Sequence, residues 1–171
     1  ALTLLLITSV TAAALAGVNA LTGPVIALRT QEQTQAAIQA VLPGGSDREI
    51  TDFTDETGLV QRIYAGNQGY AFEVTPKGFD SAVTMMVGID TQGAVLGIDI
   101  ISHTETAGLG AVAAADTPVG KAFRQQFPGV GESVMVTKDG GSVDALTGAT
   151  VTSRAICTGV NAALACAAGL P

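Results

Sequence analysis

Histidine occurs once in this chain of 171 residues, cysteine twice and tryptophan not at all. One imidazole and two thiols are too few soft donors for a Cys/His zinc site or an iron–sulfur cluster, so no metal site is expected. Basic side chains are scarce as well: 8 Lys and Arg stand against 15 Asp and Glu, for a formal charge of −7. A chain so poor in cations lacks the footprint needed to grip nucleic-acid phosphates. Disorder is excluded from the opposite side, since 47% of the residues are hydrophobic and only 13% are charged.

The apolar excess is concentrated at the start. No charged residue precedes Arg29. As a helix, such a run reaches about 42 Å at about 1.5 Å per residue, more than the hydrocarbon thickness of about 30 Å. Leu4, Leu5, Leu6, Ile7, Val10, Leu15 and Val18 supply its hydrophobicity, and Ala12, Ala13, Ala14, Ala16 and Gly17 suit close packing against other membrane helices. Gly23 and Pro24 mark an expected exit from the bilayer. Residues 1–28 therefore read as a transmembrane helix in contact with the lipid bilayer. Val18-Asn19-Ala20 has the small-x-small form of a signal-peptidase site, but the length of the run favours an anchor over a cleaved leader or a buried core helix.

The remainder is long enough for one domain with its own core. Residues 29–57 are expected to form a stalk or linker, with a polar helix over Thr30–Leu42 that stops at Pro43-Gly44-Gly45. Residues 58–171 form the expected folded domain. Between 58 and 101, β-branched and aromatic runs alternate with turn signals at Gly66-Asn67, Pro76-Lys77-Gly78 and Asp90-Thr91-Gln92-Gly93. Connections this short suit antiparallel hairpins better than crossovers. Thr117 caps a helix that opens with Pro118 and runs to Phe127 before Pro128-Gly129. A short strand over Ser133–Lys138, a turn at 139–142 and an Ala-rich helix over Thr152–Ala168 complete an α+β fold, an antiparallel sheet with packed helices.

Two segments carry residues suited to chemistry. In the first, Asp144-Ala145-Leu146-Thr147-Gly148-Ala149-Thr150-Val151-Thr152-Ser153, hydroxyls and small residues crowd the start of the last helix. Unpaired N–H groups and the helix dipole favour an anion there, although a simple N-cap has the same composition. The second is Ser102-His103-Thr104-Glu105-Thr106-Ala107-Gly108-Leu109-Gly110. Its tail imitates a dinucleotide fingerprint, but the glycines do not follow the strand directly and no acidic ribose partner stands about 20 residues on. No Gly-Lys-Ser/Thr exists for a P-loop.

Together, Asp-Ala-Leu-Thr-Gly-Ala-Thr at 144–150 and His-Thr-Glu-Thr-Ala-Gly-Leu-Gly at 103–110 resemble the two signature segments of FMN-binding domains that carry FMN on a threonine. Their order and their spacing behind an N-terminal anchor are similar to those of the RnfG family, a component of Rnf electron-transport complexes. The NqrC component of sodium-pumping NADH:quinone reductases is a near relative. Ala107 departs from the family pattern, where proline is common.

The resemblance implies Thr150 as the acceptor, its oxygen joined to the FMN phosphate in a phosphoester. It places Thr147, Gly148, Ala149, Val151 and Thr152 around that phosphate, which the helix N-terminus would stabilise by about 0.3–1 kcal/mol. Glu105 and Thr104 would lie near the phosphate or ribityl chain. Leu109 would cover the isoalloxazine face, Gly110 would belong to the same cofactor-binding segment, and Lys138 would hydrogen-bond the ring. Asp144 would be recognised by the flavin transferase that moves FMN from FAD, and the bland reading of Asp144 is a turn residue. For Lys138 the bland reading is a solvated strand end, for Leu109 plain core, and for His103 a structural hydrogen bond rather than proton donation.

No residue of the chain is assigned a catalytic role, and no complete activity is expected of it alone. The implied function is electron transfer within a membrane-bound ferredoxin:NAD oxidoreductase that moves Na⁺ or H⁺. Its partners would be the other Rnf subunits, with the soluble part on the periplasmic or extracytoplasmic side. A secreted or anchored flavoprotein reductase module is the reading from another class. Cys157 and Cys166, nine apart on one helix, fall on opposite faces about 13.5 Å apart and cannot pair, so they read as buried small hydrophobes.

Overall fold

The computed structural model describes residues 1–170, the side chains of Ser46 and Asp47 excepted, so the expected domain end at 171 lies just outside the described residues. The chain divides into two units, Ala1–Thr34 and Gln35–Pro171. One helix, α1 (Leu2–Val41), runs through the division with Pro24 inside it. The expected exit at Gly23-Pro24 therefore does not interrupt the helix. A proline removes a single backbone donor, and the turns on either side keep theirs.

The first unit is helical from Leu2 onward, and an 18-residue window of α1 has mean hydropathy 1.9 with nothing buried inside the protein. It is the one helix among the described residues long and apolar enough to cross a membrane. Several of its hydroxyls are satisfied within the helix: Thr11 donates to the Ile7 carbonyl, Thr22 to Val18 and Thr30 to Ile26. Back-bonding of this kind allows threonine in a helix without water around it.

The second unit is built on a five-stranded antiparallel meander, β1 (Gly45–Ile50), β2 (Val60–Gly66), β3 (Gly69–Val74), β4 (Thr84–Asp90) and β5 (Val95–Ser102), in the order β1-β2-β3-β4-β5. The register aligns Ile63, Phe72, Val87 and Ile98 across four strands on one face. These side chains form the main core with Ile156, Val160 and Ala163 of α3 (Thr150–Ala167). Phe72, Ile63 and Ile156 are wholly buried, and each such side chain contributes about 1.5–3 kcal/mol. On the opposite face Tyr64, Ala71 and Met86 pack with Ala37, Ile38, Val41 and Leu42 from the end of α1 and the residue after it. The fold is thus α+β, with helix on both faces of an antiparallel sheet.

Two expected elements differ in detail. Helix α2 (Pro118–Arg124) is capped by the Thr117 hydroxyl, which accepts from the Gly120 N–H at 3.2 Å, and ends before Phe127 in turns. The expected strand over Ser133–Lys138 is reduced to a single bridge, Val136 to Val143, followed by a 3₁₀ turn, Thr137–Asp139. Its backbone is claimed elsewhere: the Asn161 side-chain amide of α3 takes both the N–H and the carbonyl of Val134, at 2.7 and 2.9 Å, in place of a ladder. Helix α3 begins at Thr150, two residues earlier than the sequence suggests.

Candidate functional site

The 103–109 loop leaving β5, the 76–82 turn before β4, the Thr137–Asp139 turn and the N-terminus of α3 converge on a cavity of about 290 Å³. Its wall contains Glu105, Leu109, Gly110, Lys138, Gly148, Ala149, Thr150, Val151 and Thr152, all singled out from sequence, together with Phe79 and Thr106, which were not. Phe79, a large aromatic in a turn, is 68% exposed and has no packing reason to be there. Asp144 and Thr147 lie instead on an adjoining groove with Pro118, Val119, Phe123 and Gln126. Thr104 is outside the cavity wall, and its hydroxyl is hydrogen-bonded to that of Ser81.

The helix N-terminus is open. Ala149 at the N-cap offers no side-chain acceptor, and the first intrahelical bond comes from Ser153 to Ala149. The N–H groups of Thr150, Val151 and Thr152 therefore have no acceptor among the described residues, in contrast to the capped start of α2. Three convergent donors at the positive end of an 18-residue helix form a ready anion site. Beside them the Lys138 ammonium donates to Thr150 Oγ1 at 3.3 Å.

The loop leading to Thr150 is held by side chains from the turn after α2 and from α3. Gln126 accepts the Asp144 N–H at 2.7 Å and donates to the Asp144 carbonyl at 3.2 Å. Ser153 Oγ accepts the Leu146 N–H and donates to the Ala149 carbonyl, both at 3.0 Å. Gly148 adopts φ +76°, and a Cβ there would press on Leu109 at 2.9 Å. Only glycine takes this backbone shape without cost while letting the two signature segments touch.

Glu105 is 6% exposed and fully engaged. One oxygen accepts the N–H groups of Phe79 and Asp80, at 2.9 and 3.2 Å, and the other accepts the Thr152 hydroxyl. Burial pushes its pKa up, but those hydrogen bonds together outweigh burial and hold the carboxyl below its ordinary value. Gly110 packs against this pair, since a Cβ would meet Thr152 Oγ1 at 2.5 Å and Glu105 Oε2 at 2.6 Å. His103 Nδ1 accepts the Glu105 N–H at 3.2 Å, the structural hydrogen bond considered for it. Cys157 and Cys166 are buried and free, and burial pushes the Cys157 thiol up to about 11.

An open helix N-terminus and exposed apolar side chains thus meet in one cavity, an arrangement suited to an aromatic phosphate ester. The family model described as the FMN-binding domain matches residues 78–165 of this chain. The chain is also 32% identical to the G subunit of the Na⁺-translocating ferredoxin:NAD⁺ oxidoreductase complex of Acetobacterium woodii, over 94% of this chain and 86% of the relative. It is 33% identical to the proton-translocating counterpart of Clostridium ljungdahlii, over 88% and 80%. The G subunit of an ion-translocating oxidoreductase complex from Yersinia pestis is 35% identical, over 86% and 79%. The chain belongs to the FMN-binding domain family and, within it, to the G subunits of ion-translocating oxidoreductase complexes.

Proposed function

We propose that this chain is the electron-transfer subunit of a membrane-bound, ion-translocating ferredoxin:NAD oxidoreductase complex, and that Thr150 carries FMN through a phosphoester. The observation that carries this reading is the coincidence, on one wall, of the Thr150 hydroxyl, three unpaired N–H groups and Lys138. The apolar requirement is met opposite. Outside α1 the exposed large hydrophobics are Phe79, Leu109, Val119, Met135 and Val151, and three of these five line the cavity. Their exposure is accounted for by a flat aromatic ring seated there.

In this reading the N–H groups of Thr150, Val151 and Thr152 hold the phosphate, and the Lys138 ammonium, expected at the flavin ring, serves the phosphate instead because it donates to Thr150 Oγ1. Ala149 keeps the helix start unobstructed, Gly148 and Gly110 let Leu109, Glu105 and Thr152 close on the backbone, and Leu109, Phe79 and Val151 keep water from the ring. FMN, when bound, supplies one- and two-electron redox chemistry that no side chain here provides. Glu105 and Thr152 shape the wall through their mutual bond. Asp144 and Thr147, on the neighbouring groove, face outward for recognition by a flavin transferase. We assign residues 1–28 to the membrane span and 58–171 to the FMN-binding part, with 29–57 joining them and lending β1 and the end of α1 to the same sheet, on the extracytoplasmic side and in contact with the other subunits of the complex. A permanent anchor confines a weakly charged carrier near its partners.

Mass spectrometry of protein matured with its transferase tests the assignment. The expected result is an adduct of FMN less water on the peptide containing Thr150, lost in Thr150→Val. A bare Thr150, or flavin retained through denaturation by Thr150→Val, overturns it.

A further inference from the structure

Lys138 stands beside an acidic residue yet forms no ion pair with it. Ion pairs join Arg62 to Glu73, Lys121 to Asp116 and Arg154 to Asp139. Asp139, the next residue after Lys138, is held by Arg154 in a two-pronged contact, with Nε and one terminal nitrogen each 2.6 Å from a carboxylate oxygen. The spacing on the two elements matches. Thr150 and Arg154 are one helical turn apart on α3 and face the same side, and they meet consecutive residues of the turn. Thr150 takes Lys138 and Arg154 takes Asp139.

The turn does not depend on Arg154 for its shape. The Asp139 N–H donates to the Val136 carbonyl at 2.8 Å, Thr137 to Val143 at 2.8 Å and Gly140 to Thr137 at 3.1 Å. What Arg154 changes is charge. Lys138, Asp139 and Arg154 together sum to one positive charge, and without the guanidinium they sum to zero in a chain of formal charge −7. A released carboxylate adjacent to Lys138 would compete with Thr150 for the ammonium.

We propose that Arg154 is a positioning residue: by occupying Asp139 it keeps that carboxylate off Lys138 and leaves the ammonium to the phosphate carried at Thr150. The inference rests on the reading of Thr150 as the attachment point, and it gives a role to two residues outside the cavity wall. The Arg154 guanidinium holds Asp139 below the ordinary carboxylate range, in keeping with a charged, engaged pair. Both side chains are partly exposed, so solvent and salt weaken the effect.

The full chain, given FAD, Mg²⁺ and a flavin transferase, is followed by intact mass for FMN attachment over time. Arg154→Gln is expected to slow attachment about three- to tenfold. Asp139→Asn is expected to attach at the native rate, and the double variant to return to within about twofold of it, because no carboxylate then remains to be masked. In the protein without FMN, a structure of Arg154→Gln is expected to show the Asp139 carboxylate turned onto the Lys138 ammonium, which leaves Thr150 Oγ1. Native attachment by Arg154→Gln, or a Lys138 ammonium that stays on Thr150 in that variant, overturns the proposal. A double variant as slow as Arg154→Gln makes Arg154 a mechanical tether and overturns it equally. A native chain that stays folded and bare overturns the assignment of Thr150 instead.

Discussion

Glu105 and Thr152 lie 47 residues apart in the chain and are joined, carboxylate to hydroxyl, in the wall of the cavity. The same carboxylate also holds the backbone of Phe79 and Asp80, so one buried acid ties the turn before β4 to the start of α3. Glu105→Ala leaves the buried Thr152 hydroxyl without its acceptor and removes the tie, for an expected loss of about 2–3 kcal/mol in chemical denaturation. Glu105→Gln keeps an oxygen for the two N–H groups and is expected to lose about half as much.

The same carboxyl gives the stability a pH dependence of fixed sign. Its folded pKa lies below the ordinary 4.5, so the contribution is fully present above that value and is lost as pH falls through the folded pKa. Thermal unfolding from neutral pH to pH 3 should show the native chain losing more stability than Glu105→Gln. A parallel course for the two would remove Glu105 as the source.

Gly148 is the point where the two signature segments touch. Alanine there must hold φ +76° and press its methyl group on Leu109, at an expected cost of about 1–2 kcal/mol from the backbone alone. Thermal denaturation measures this directly, and FMN attachment should slow in the same variant because the loop entering α3 shifts.

Four of the five strands were readable because each β-branched or aromatic run between 58 and 101 is bounded by its own turn residues, whereas β1 (Gly45–Ile50), inside the expected linker, has no such run. Most of the cavity wall was readable as well, since Gly148 and Gly110 are small at the positions where backbone and side chains meet. Phe79, Gln126 and Arg154 were not. Each acts through a partner distant in sequence: Phe79 through Glu105, Gln126 through Asp144 and Arg154 through Asp139. Linear patterns encode periodicity and local turns, whereas a side-chain bond to a remote backbone leaves no periodic trace. The missing strand at Ser133–Lys138 has the same origin, because Asn161 takes the Val134 backbone groups that a ladder would use.

Gln126 holds the Asp144 backbone at both its donor and its acceptor. Gln126→Glu keeps an acceptor but sets an anion against the Asp144 carbonyl, so the 144–147 segment should loosen while the core stays intact. Amide hydrogen exchange is expected to rise about tenfold at Asp144, corresponding to about 1.4 kcal/mol of local stability. Exchange in β3 and β4 should be unchanged.

Both cysteines are buried, and burial pushes the Cys157 thiol up to about 11. A thiol that holds its proton and sees little solvent alkylates slowly. In the folded protein at pH 8, iodoacetamide should leave Cys157 and Cys166 unmodified over an hour or so. Denaturant should release both to full labelling, read as a two-adduct mass shift. Rapid labelling of either thiol in the native state would contradict its burial.

The end of α1 belongs energetically to the sheet. Ile38, Val41 and Leu42 are at most 2% exposed and cover Tyr64, Ala71 and Met86. A chain starting at Gln35 retains all three and drops only the unit Ala1–Thr34, so it should fold and stay monomeric without detergent. A chain starting at Pro43 loses them. At about 1.5–3 kcal/mol for each buried side chain, the loss of about 5 kcal/mol or more matches much of a domain's total stability of about 5–15 kcal/mol. Light scattering and circular dichroism on the two truncations should separate a cooperative domain from an aggregating one, and equal stability would show that the α1 end is not needed to cover that face.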